Sequence, residues 1–97
     1  MRIEFHPSTV IDVNEISTYY SRARHGLEND FHKETDAALT RITNNPLLYP
    51  IVEEKIRRCI VHRFPCSILY RILDRDTVRI LAIRHHKRRP EFGRERT

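Results

Sequence analysis

Apolar residues recur at two different spacings along this chain, and the change of spacing separates helical from extended parts. Near the N-terminus, Ile3 and Phe5 alternate with charged residues, which predicts a short strand over Arg2–His6. Apolar residues then recur three and four positions apart, as on the buried face of a helix. This spacing predicts two helices, over about residues 8–24 and 27–44.

Local signals define the ends of these two helices. Pro7 ends the first strand, and Ser8 is a residue type that favours the N-cap of a helix. Gly26 interrupts the apolar spacing and suits the left-handed conformation found at helix C-caps. The second helix should end at Asn44–Pro46, because a residue that precedes proline is disfavoured in the helical region. The two helices should therefore form a hairpin with a tight link.

The second half of the chain predicts three strands, over about residues 56–62, 66–73 and 77–85, preceded by a loop over 46–55. Links as short as those between these strands require antiparallel neighbours. The nearly continuous apolar residues of the middle strand indicate a central position in the sheet. The order β-α-α-β-β-β predicts one α+β domain over residues 1–97, with the helical hairpin packed on one face of a small, mainly antiparallel sheet.

Charge is distributed unevenly along the chain. The net charge is +5, but residues 1–50 contain five Lys/Arg against seven Asp/Glu, whereas residues 51–97 contain thirteen against six. A surface that only serves solubility usually intersperses its signs, so this asymmetry favours a docking surface for a polyanion or an acidic partner protein.

Several classes of protein are excluded or disfavoured by composition. No apolar run approaches the ~18 residues that span a bilayer, and the first residues lack the apolar stretch of a signal peptide. We therefore expect a cytoplasmic protein without a membrane partner. Cys59 and Cys66 are too few for a disulfide scaffold and are expected to be reduced.

Arginines and histidines are the candidate functional side chains. Adjacent Arg57 and Arg58 should point to opposite faces of the sheet. Arg71 interrupts an apolar strand, either as a cleft arginine or as one whose charged end reaches solvent from an open sheet face. His85 titrates in the range needed for acid–base cleavage of RNA, or it simply ends the last strand. No His/Cys spacing matches a metal site, and no glycine-rich phosphate loop is present, so we expect neither a metal nor a cofactor.

Taken together, these motifs resemble the RelE/ParE superfamily, the toxins of type II toxin–antitoxin modules, over nearly the whole chain. The residues that carry the resemblance lie on both predicted helices, the loop after them, the three strands and the C-terminal segment: Tyr19-Tyr20, Gly26-Leu27, Phe31, Ile42, Asn45-Pro46, Tyr49-Pro50, Arg57-Arg58, Arg63-Phe64-Pro65, Ile68, Tyr70-Arg71, Ile80–Ile83, His85, Arg88, Pro90 and Arg96.

The pattern is more similar to the ParE-like, plasmid-stabilisation branch than to the RelE-like branch. Ser67 stands where RelE-like sequences tend to have an arginine. Phe92 lies near the position of their catalytic tyrosine but has no ionisable hydroxyl. Gly93 departs from the ParE-like pattern, which commonly has an aromatic residue there, and the short tail after it leaves a C-terminal helix in question.

The resemblance implies a toxin that binds and inhibits an essential target such as DNA gyrase, and that a cognate antitoxin neutralises in a hetero-oligomer. It implies target-binding side chains in the C-terminal basic segment: Arg84, Lys87, Arg88, Arg89 and Phe92. It implies antitoxin-binding arginines on the sheet and beyond it: Arg57, Arg71 and Arg88.

Two other functions are compatible with the same residues. A ribosome-dependent mRNA endoribonuclease of the RelE kind would use Arg58, Arg71 and His85. A non-toxic nucleic-acid-binding module would use the basic surface alone and would bind with a steep salt dependence. The weakness of the catalytic motifs favours binding over bond cleavage.

Overall fold

All 97 residues are described by the computed structural model, which contains two helices and five strands. In chain order these are β1 (Arg2–Phe5), α1 (Ser8–Ala23), α2 (Leu27–Asn44), β2 (Ile51–Glu53), β3 (Ile56–Ile60), β4 (Cys66–Asp74) and β5 (Thr77–His85). The strands form one sheet in the order β1-β5-β4-β3-β2. β1 is parallel to β5 and every other pair is antiparallel. The predicted α+β fold and the central position of β4 are confirmed.

Strand β2 lies where the sequence predicts only a loop. Its three residues pair with β3 at the edge of the sheet through an irregular register, in which Ile51 faces Arg57 and Glu53 faces Ile56. Glu54, in the turn that follows, has a positive φ of 48°. A three-residue strand is too short for an alternation of apolar and polar residues to be recognisable, which explains the error.

The predicted helix bounds agree with the structure to within one residue, but the predicted caps do not. Pro7, not Ser8, is the N-cap residue of α1, and no side chain caps that helix. Instead, the backbone of Ser8 donates to Nδ1 of His6 at 3.1 Å, and the Thr9 hydroxyl donates to the His6 carbonyl at 2.7 Å. Gly26 is left-handed, with φ of 87°, but it precedes α2 and does not cap α1.

The main core lies between the two helices and one face of the sheet. Phe31 is fully buried there, which contributes roughly 1.5–3 kcal/mol, and its ring lies 5.5 Å from that of Tyr20 and 5.6 Å from that of Phe64. Cys59 and Cys66 are free and buried in the same core. Burial raises the pKa of Cys66 to about 11, so this side chain is a neutral thiol at physiological pH.

The opposite face of the sheet, which we call the open face, has no helix on it. A small cluster of buried residues lies there: Ile56, Leu69, Leu81 and Ala82, with Val52 and Phe92 packed against them. Residues 86–97 cross this face as a series of turns without helix or strand. At Gly93 the φ is 80°, and a Cβ added there would lie 2.5 Å from Cβ of Ala82. The C-terminal segment therefore approaches β5 more closely than a residue with a side chain would allow.

Candidate functional site

The register of the three long strands brings two arginines to the open face on either side of β4. Ser67 pairs with Arg84 of β5, and Leu69 pairs with Arg58 of β3. Residues paired across antiparallel strands share a face, so Arg58, Ser67 and Arg84 all lie on the open face. In a regular sheet their positions place the two arginine Cα atoms roughly 12 Å apart, within reach of each other's long side chains.

Two further side chains complete this group. His86 follows Arg84 by two residues, and its Nε2 lies 2.8 Å from the Ser67 hydroxyl. Arg94 comes from the C-terminal segment, and one of its Nη atoms contacts Glu53 at 3.5 Å. We call Arg58, Arg84 and Arg94, with Ser67 and His86, the arginine cluster.

The arginine cluster is unusually buried for a group of like charges. Arg84 is only 9% exposed, and its one hydrogen bond goes to the carbonyl of Arg88 at 3.2 Å. The Nε atoms of Arg58 and Arg94 are buried and have no acceptor from the protein. Burial lowers the pKa of Arg84, and the positive charges of Arg58 and Arg94 lower it further. Most of the positive charge of the arginine cluster is therefore not neutralised by a negatively charged side chain.

His86 responds to the same environment. Burial and the charges of Arg84 and Arg58 lower the pKa of His86, so its imidazole is neutral at pH 7. A neutral imidazole has one donor and one acceptor nitrogen. The arginine cluster thus combines fixed guanidinium donors with one hydroxyl and one neutral imidazole, and such a set is suited to binding an anion.

Two further arginines lie on the open face, one with partners in the protein and one without. Arg79 contacts Glu4 at 3.4 Å and donates from Nε to the carbonyl oxygen of Thr97 at 2.8 Å, so it holds β1 and the C-terminus. Arg71 forms no hydrogen bond or ion pair within the protein, and it lines a shallow depression together with Arg94 and Arg96. Arg71 is therefore free to contact a partner, next to the arginine cluster.

Arg96 holds the C-terminal segment in place through a buried ion pair. Its two Nη atoms donate to both carboxylate oxygens of Asp12, at 2.6 and 3.1 Å, and Asp12 is only 3% exposed. β1 ends opposite Ile80, so the backbone groups that follow on β5 have no strand beside them. Asp12 accepts from the backbone of Ile83 at 3.1 Å, and Arg96 donates to the carbonyl of Leu81 at 3.1 Å. These two side chains continue the hydrogen bonding of the sheet edge where β1 stops.

The predicted target-binding residues of the C-terminal segment have different partners within the protein, although Arg88 contacts both Arg84 and Phe92. Lys87 lies over the ring of Tyr19, with Nζ 5.7 Å from the ring centre. Arg88 is paired with Glu15 of α1 at 2.8 Å. Arg89 is 82% exposed and contacts only Glu91, and Phe92 packs under the guanidinium groups of Arg88 and Arg96. Of the predicted set, only Arg84 belongs to the arginine cluster.

The structure also separates the residues that a ribonuclease was predicted to use. Arg58 and Arg71 lie on the open face, whereas His85 pairs with Cys66 and lies against the rings of Tyr19 and Tyr20 on the helical side. Burial, then the charges of Lys87, Arg84 and Arg88, lower the pKa of His85. The three residues are therefore not assembled into one site.

Arg57, predicted to contact the antitoxin, has a structural task in the isolated chain. It points to the helical side and donates to the carbonyls of Tyr49 and Leu47, at 2.7 and 3.3 Å, which holds the loop before β2.

Sequence reasoning missed Ser67, His86 and Arg94 as parts of one site. His86 lies in the turn directly after β5, which ends at His85. The sequence signal for it is the alternation of the strand extended by one residue, which places His86 on the same face as Arg84. Arg94 carries no comparable signal, since a segment without regular structure brings it to the sheet.

No group of three or more His, Cys, Asp or Glu side chains is arranged to hold a metal ion. Neither helix is long and apolar enough to cross a bilayer.

Comparison with known proteins gives a family and a fold. Residues 3–90 match the family model described as the ParE toxin of the type II toxin–antitoxin system parDE. A solved structure described as a chromosomal ParDE toxin–antitoxin system from P. aeruginosa superposes with a TM-score of 0.64 at 15% sequence identity, covering 88% of this chain and 95% of that chain. At this identity the similarity concerns the fold alone. No curated protein matches the sequence significantly.

Proposed function

Because the chain belongs to the ParE toxin family of type II toxin–antitoxin systems, we propose that this toxin acts in the cytoplasm by binding and inhibiting an essential target such as DNA gyrase. The observation that supports a binding mechanism is the set of unpaired arginines on the open face. Arg58 lies on β3, Arg71 on β4 and Arg84 on β5. None of the three has a carboxylate partner. Arginine keeps its charge at any working pH and binds phosphate or carboxylate with two parallel hydrogen bonds.

The decisive experiment tests whether the toxin inhibits DNA gyrase or cleaves RNA. The chain is expressed without an antitoxin, and growth, gyrase–DNA cleavage complexes and RNA 5′ ends are followed in the same cells. A gyrase inhibitor should arrest growth and accumulate cleavage complexes, with RNA ends unchanged. Growth arrest without gyrase–DNA complexes would disprove the choice of gyrase.

RNA cleavage is the second candidate, and the position of His86 is the observation that favours it. His86 lies beside the Ser67 hydroxyl within the arginine cluster, and its lowered pKa leaves an imidazole that can accept a proton at pH 7. Under this alternative, site-specific RNA cuts appear on expression and disappear in His86→Gln, while His85→Gln retains them. Under the binding mechanism both variants remain toxic.

The antitoxin is proposed to cover an apolar groove on the helical side as well as the basic residues. Phe5, Val10, Val13 and Leu39 line a groove between α1, α2 and the end of β1, and the side chain of Val10 is 61% exposed. A segment that folds on binding can cover such a groove and extend to the free arginines.

This partner proposal has its own test. The antitoxin's affinity should fall as salt is raised, and Arg71→Ala should weaken it through charge. Val10→Asp should weaken it through the groove without reducing toxicity, because Val10 lies on α1, on the side of the sheet opposite the open face. An affinity that neither salt nor Val10→Asp changes would contradict the proposed interface.

A further inference from the structure

Several arginines in this protein each have a carboxylate partner of their own that explains their position. Arg96 has Asp12, Arg88 has Glu15 and Arg79 has Glu4. The arginine cluster differs, because its three guanidinium groups face one carboxylate, that of Glu53, which contacts Arg94 only. Glu53 is itself on the exposed edge strand β2, away from Arg84.

Burying such a group costs free energy unless something neutralises it. Arg84 is nine-tenths buried near the positive charges of Arg58 and Arg94, and its side chain has one carbonyl acceptor but no carboxylate. A buried charge without a counter-charge is strongly disfavoured. The Nε–H groups of Arg58 and Arg94 are buried without an acceptor from the protein. Buried donors are rarely left unsatisfied in folded proteins, so these two N–H groups point to an acceptor that the chain does not supply.

The number and geometry of the donors identify the chemistry of that acceptor. Each guanidinium presents several N–H donors in a planar fork, and the Ser67 hydroxyl and His86 imidazole add two more polar groups. A carboxylate has two oxygens and matches a single fork, whereas a phosphate has three or four oxygens directed to the corners of a tetrahedron. The three arginines carry three positive charges and Glu53 carries one negative charge, so the net charge of the group is +2. A phosphate dianion neutralises this charge.

We infer that the arginine cluster is a binding site for a phosphate dianion, either inorganic phosphate or a phosphomonoester. An ion placed between β3 and β5 over Ser67 accepts hydrogen bonds from Arg58 and Arg84, and Arg94 covers it from the C-terminal segment. Ser67 is fully buried, whereas Arg94 is 25% exposed and Arg58 is half-buried, so an ion enters by displacing the side chains of these two arginines. The inference is independent of which target the toxin inhibits.

The test uses the full-length toxin and follows the side-chain Nε–H resonances of Arg58 and Arg94 by NMR. Methyl phosphate, a monoester dianion, is titrated at pH 8 and constant ionic strength and compared with dimethyl phosphate, a diester with one charge. We expect saturable shifts of both resonances with methyl phosphate, and at least roughly tenfold weaker binding of dimethyl phosphate. Equal binding of the two ligands, or shifts that grow linearly without saturation, would overturn the inference.

Two variants separate this site from general attraction to a basic protein. Arg84→Met removes one charge from the arginine cluster, and Arg75→Met removes one from an exposed turn outside it. Arg84→Met should weaken methyl phosphate binding roughly ten- to hundredfold, and Arg75→Met should leave it unchanged. If Arg84→Met does not fold, Arg58→Met serves in its place. Equal losses in the cluster and control variants would refute a built site.

A last pair of ligands distinguishes the two sources of the phosphate. A short single-stranded oligonucleotide with a 5′-phosphate is compared with the same oligonucleotide ending in a 5′-hydroxyl. Tighter binding of the phosphorylated end supports recognition of a terminal phosphomonoester. Inorganic phosphate binding with no preference between the two oligonucleotides assigns the site to the free ion. Tighter binding of the hydroxyl-ended strand than of inorganic phosphate would assign it to backbone diesters and contradict the inference. None of these readouts depends on toxicity, so a failure here leaves the proposed function untouched.

Discussion

At the scale of single residues, the two glycines of this chain illustrate how differently the same backbone conformation can be used. Both have a positive φ, 87° at Gly26 and 80° at Gly93. A Cβ at Gly26 would meet nothing within 4 Å, whereas one at Gly93 would lie 2.5 Å from Cβ of Ala82. Gly26 is therefore needed only for its backbone, and Gly93 is needed for backbone and space together.

This contrast gives a prediction about stability. Gly26→Ala should cost about 1 kcal/mol, from the left-handed backbone alone. Gly93→Ala should cost about 1–3 kcal/mol more, because the clash with Ala82 adds to the same strain. Urea unfolding of the two variants measures the difference. Adding Ala82→Gly should recover part of the loss in Gly93→Ala but none in Gly26→Ala. Equal costs for the two single substitutions would show that the close approach carries no energy.

Residue-scale features of the site were only partly predictable from the sequence. The alternation of strand residues correctly separates Arg57 from Arg58, and the single interruption of β4 identifies Arg71 as unusual. Asp12 lies four residues before Ile16 on the buried face of α1, and this spacing is the one sequence signal that its carboxylate is buried. Its partner Arg96 is 84 residues away. No local pattern encodes a contact of that range.

At the scale of elements, α1 is joined to the C-terminal segment by two ion pairs, one buried and one exposed. Asp12 and Arg96 are 3% and 13% exposed, whereas Glu15 and Arg88 are 55% and 53% exposed. Removing one partner of a buried pair leaves a charge that water cannot reach, but an exposed pair contributes little.

The two carboxylates therefore make a matched test. Asp12→Ala should destabilise the protein by about 3–5 kcal/mol, since it leaves the buried Arg96 without its carboxylate partner and the backbone N–H of Ile83 without an acceptor. Glu15→Ala should cost less than about 1 kcal/mol. Denaturant unfolding gives both values, and hydrogen exchange at Ile83 should accelerate only in Asp12→Ala. Comparable losses in the two variants would mean that Asp12 does not support the edge of β5.

Element boundaries followed from local chemistry wherever a segment was long enough to show a period. The two helices and strands β3, β4 and β5 each extend over enough residues for their spacing to be recognised, and the antiparallel order of the last three followed from short links. β2 is too short to show a period. The position of β1 beside β5 depends on pairing between the two ends of the chain, which local patterns do not specify.

At the scale of the whole molecule, histidines on both sides of the sheet connect stability to pH. Burial and neighbouring positive charges lower the pKa of His85 on the helical side and of His86 on the open face. A base whose pKa is lower in the folded chain binds protons preferentially in the unfolded chain. The free energy of unfolding should therefore be unaffected above the unfolded pKa of about 6.5 and should fall as the pH is lowered below it.

Urea unfolding at pH 7.5 and 5.5 tests this dependence. Wild type should lose more stability between the two values than the double variant His85→Gln/His86→Gln, which has no imidazole to protonate at these positions. His25→Gln, in the exposed link between the helices, controls for the effect of removing a histidine. A double variant with the same pH dependence as wild type would show that neither histidine contributes.

The charge of the whole molecule is positive and unevenly distributed, so two causes of toxicity have to be separated. One is the net charge, and the other is the set of particular arginines on the open face. Arg58→Ala/Arg71→Ala removes two arginines of the open face that have no ion-pair partner. Arg22→Ala/Arg75→Ala removes two exposed arginines elsewhere and leaves the same net charge. Attraction by the overall field would weaken equally in the two variants, because it depends on the summed charge. A docking surface built from fixed guanidinium groups should lose its target only in the first variant, by roughly tenfold or more in affinity. We therefore expect growth arrest to be abolished or strongly delayed in Arg58→Ala/Arg71→Ala and retained in Arg22→Ala/Arg75→Ala at equal expression. Matching toxicity in both variants would locate the functional surface away from the open face.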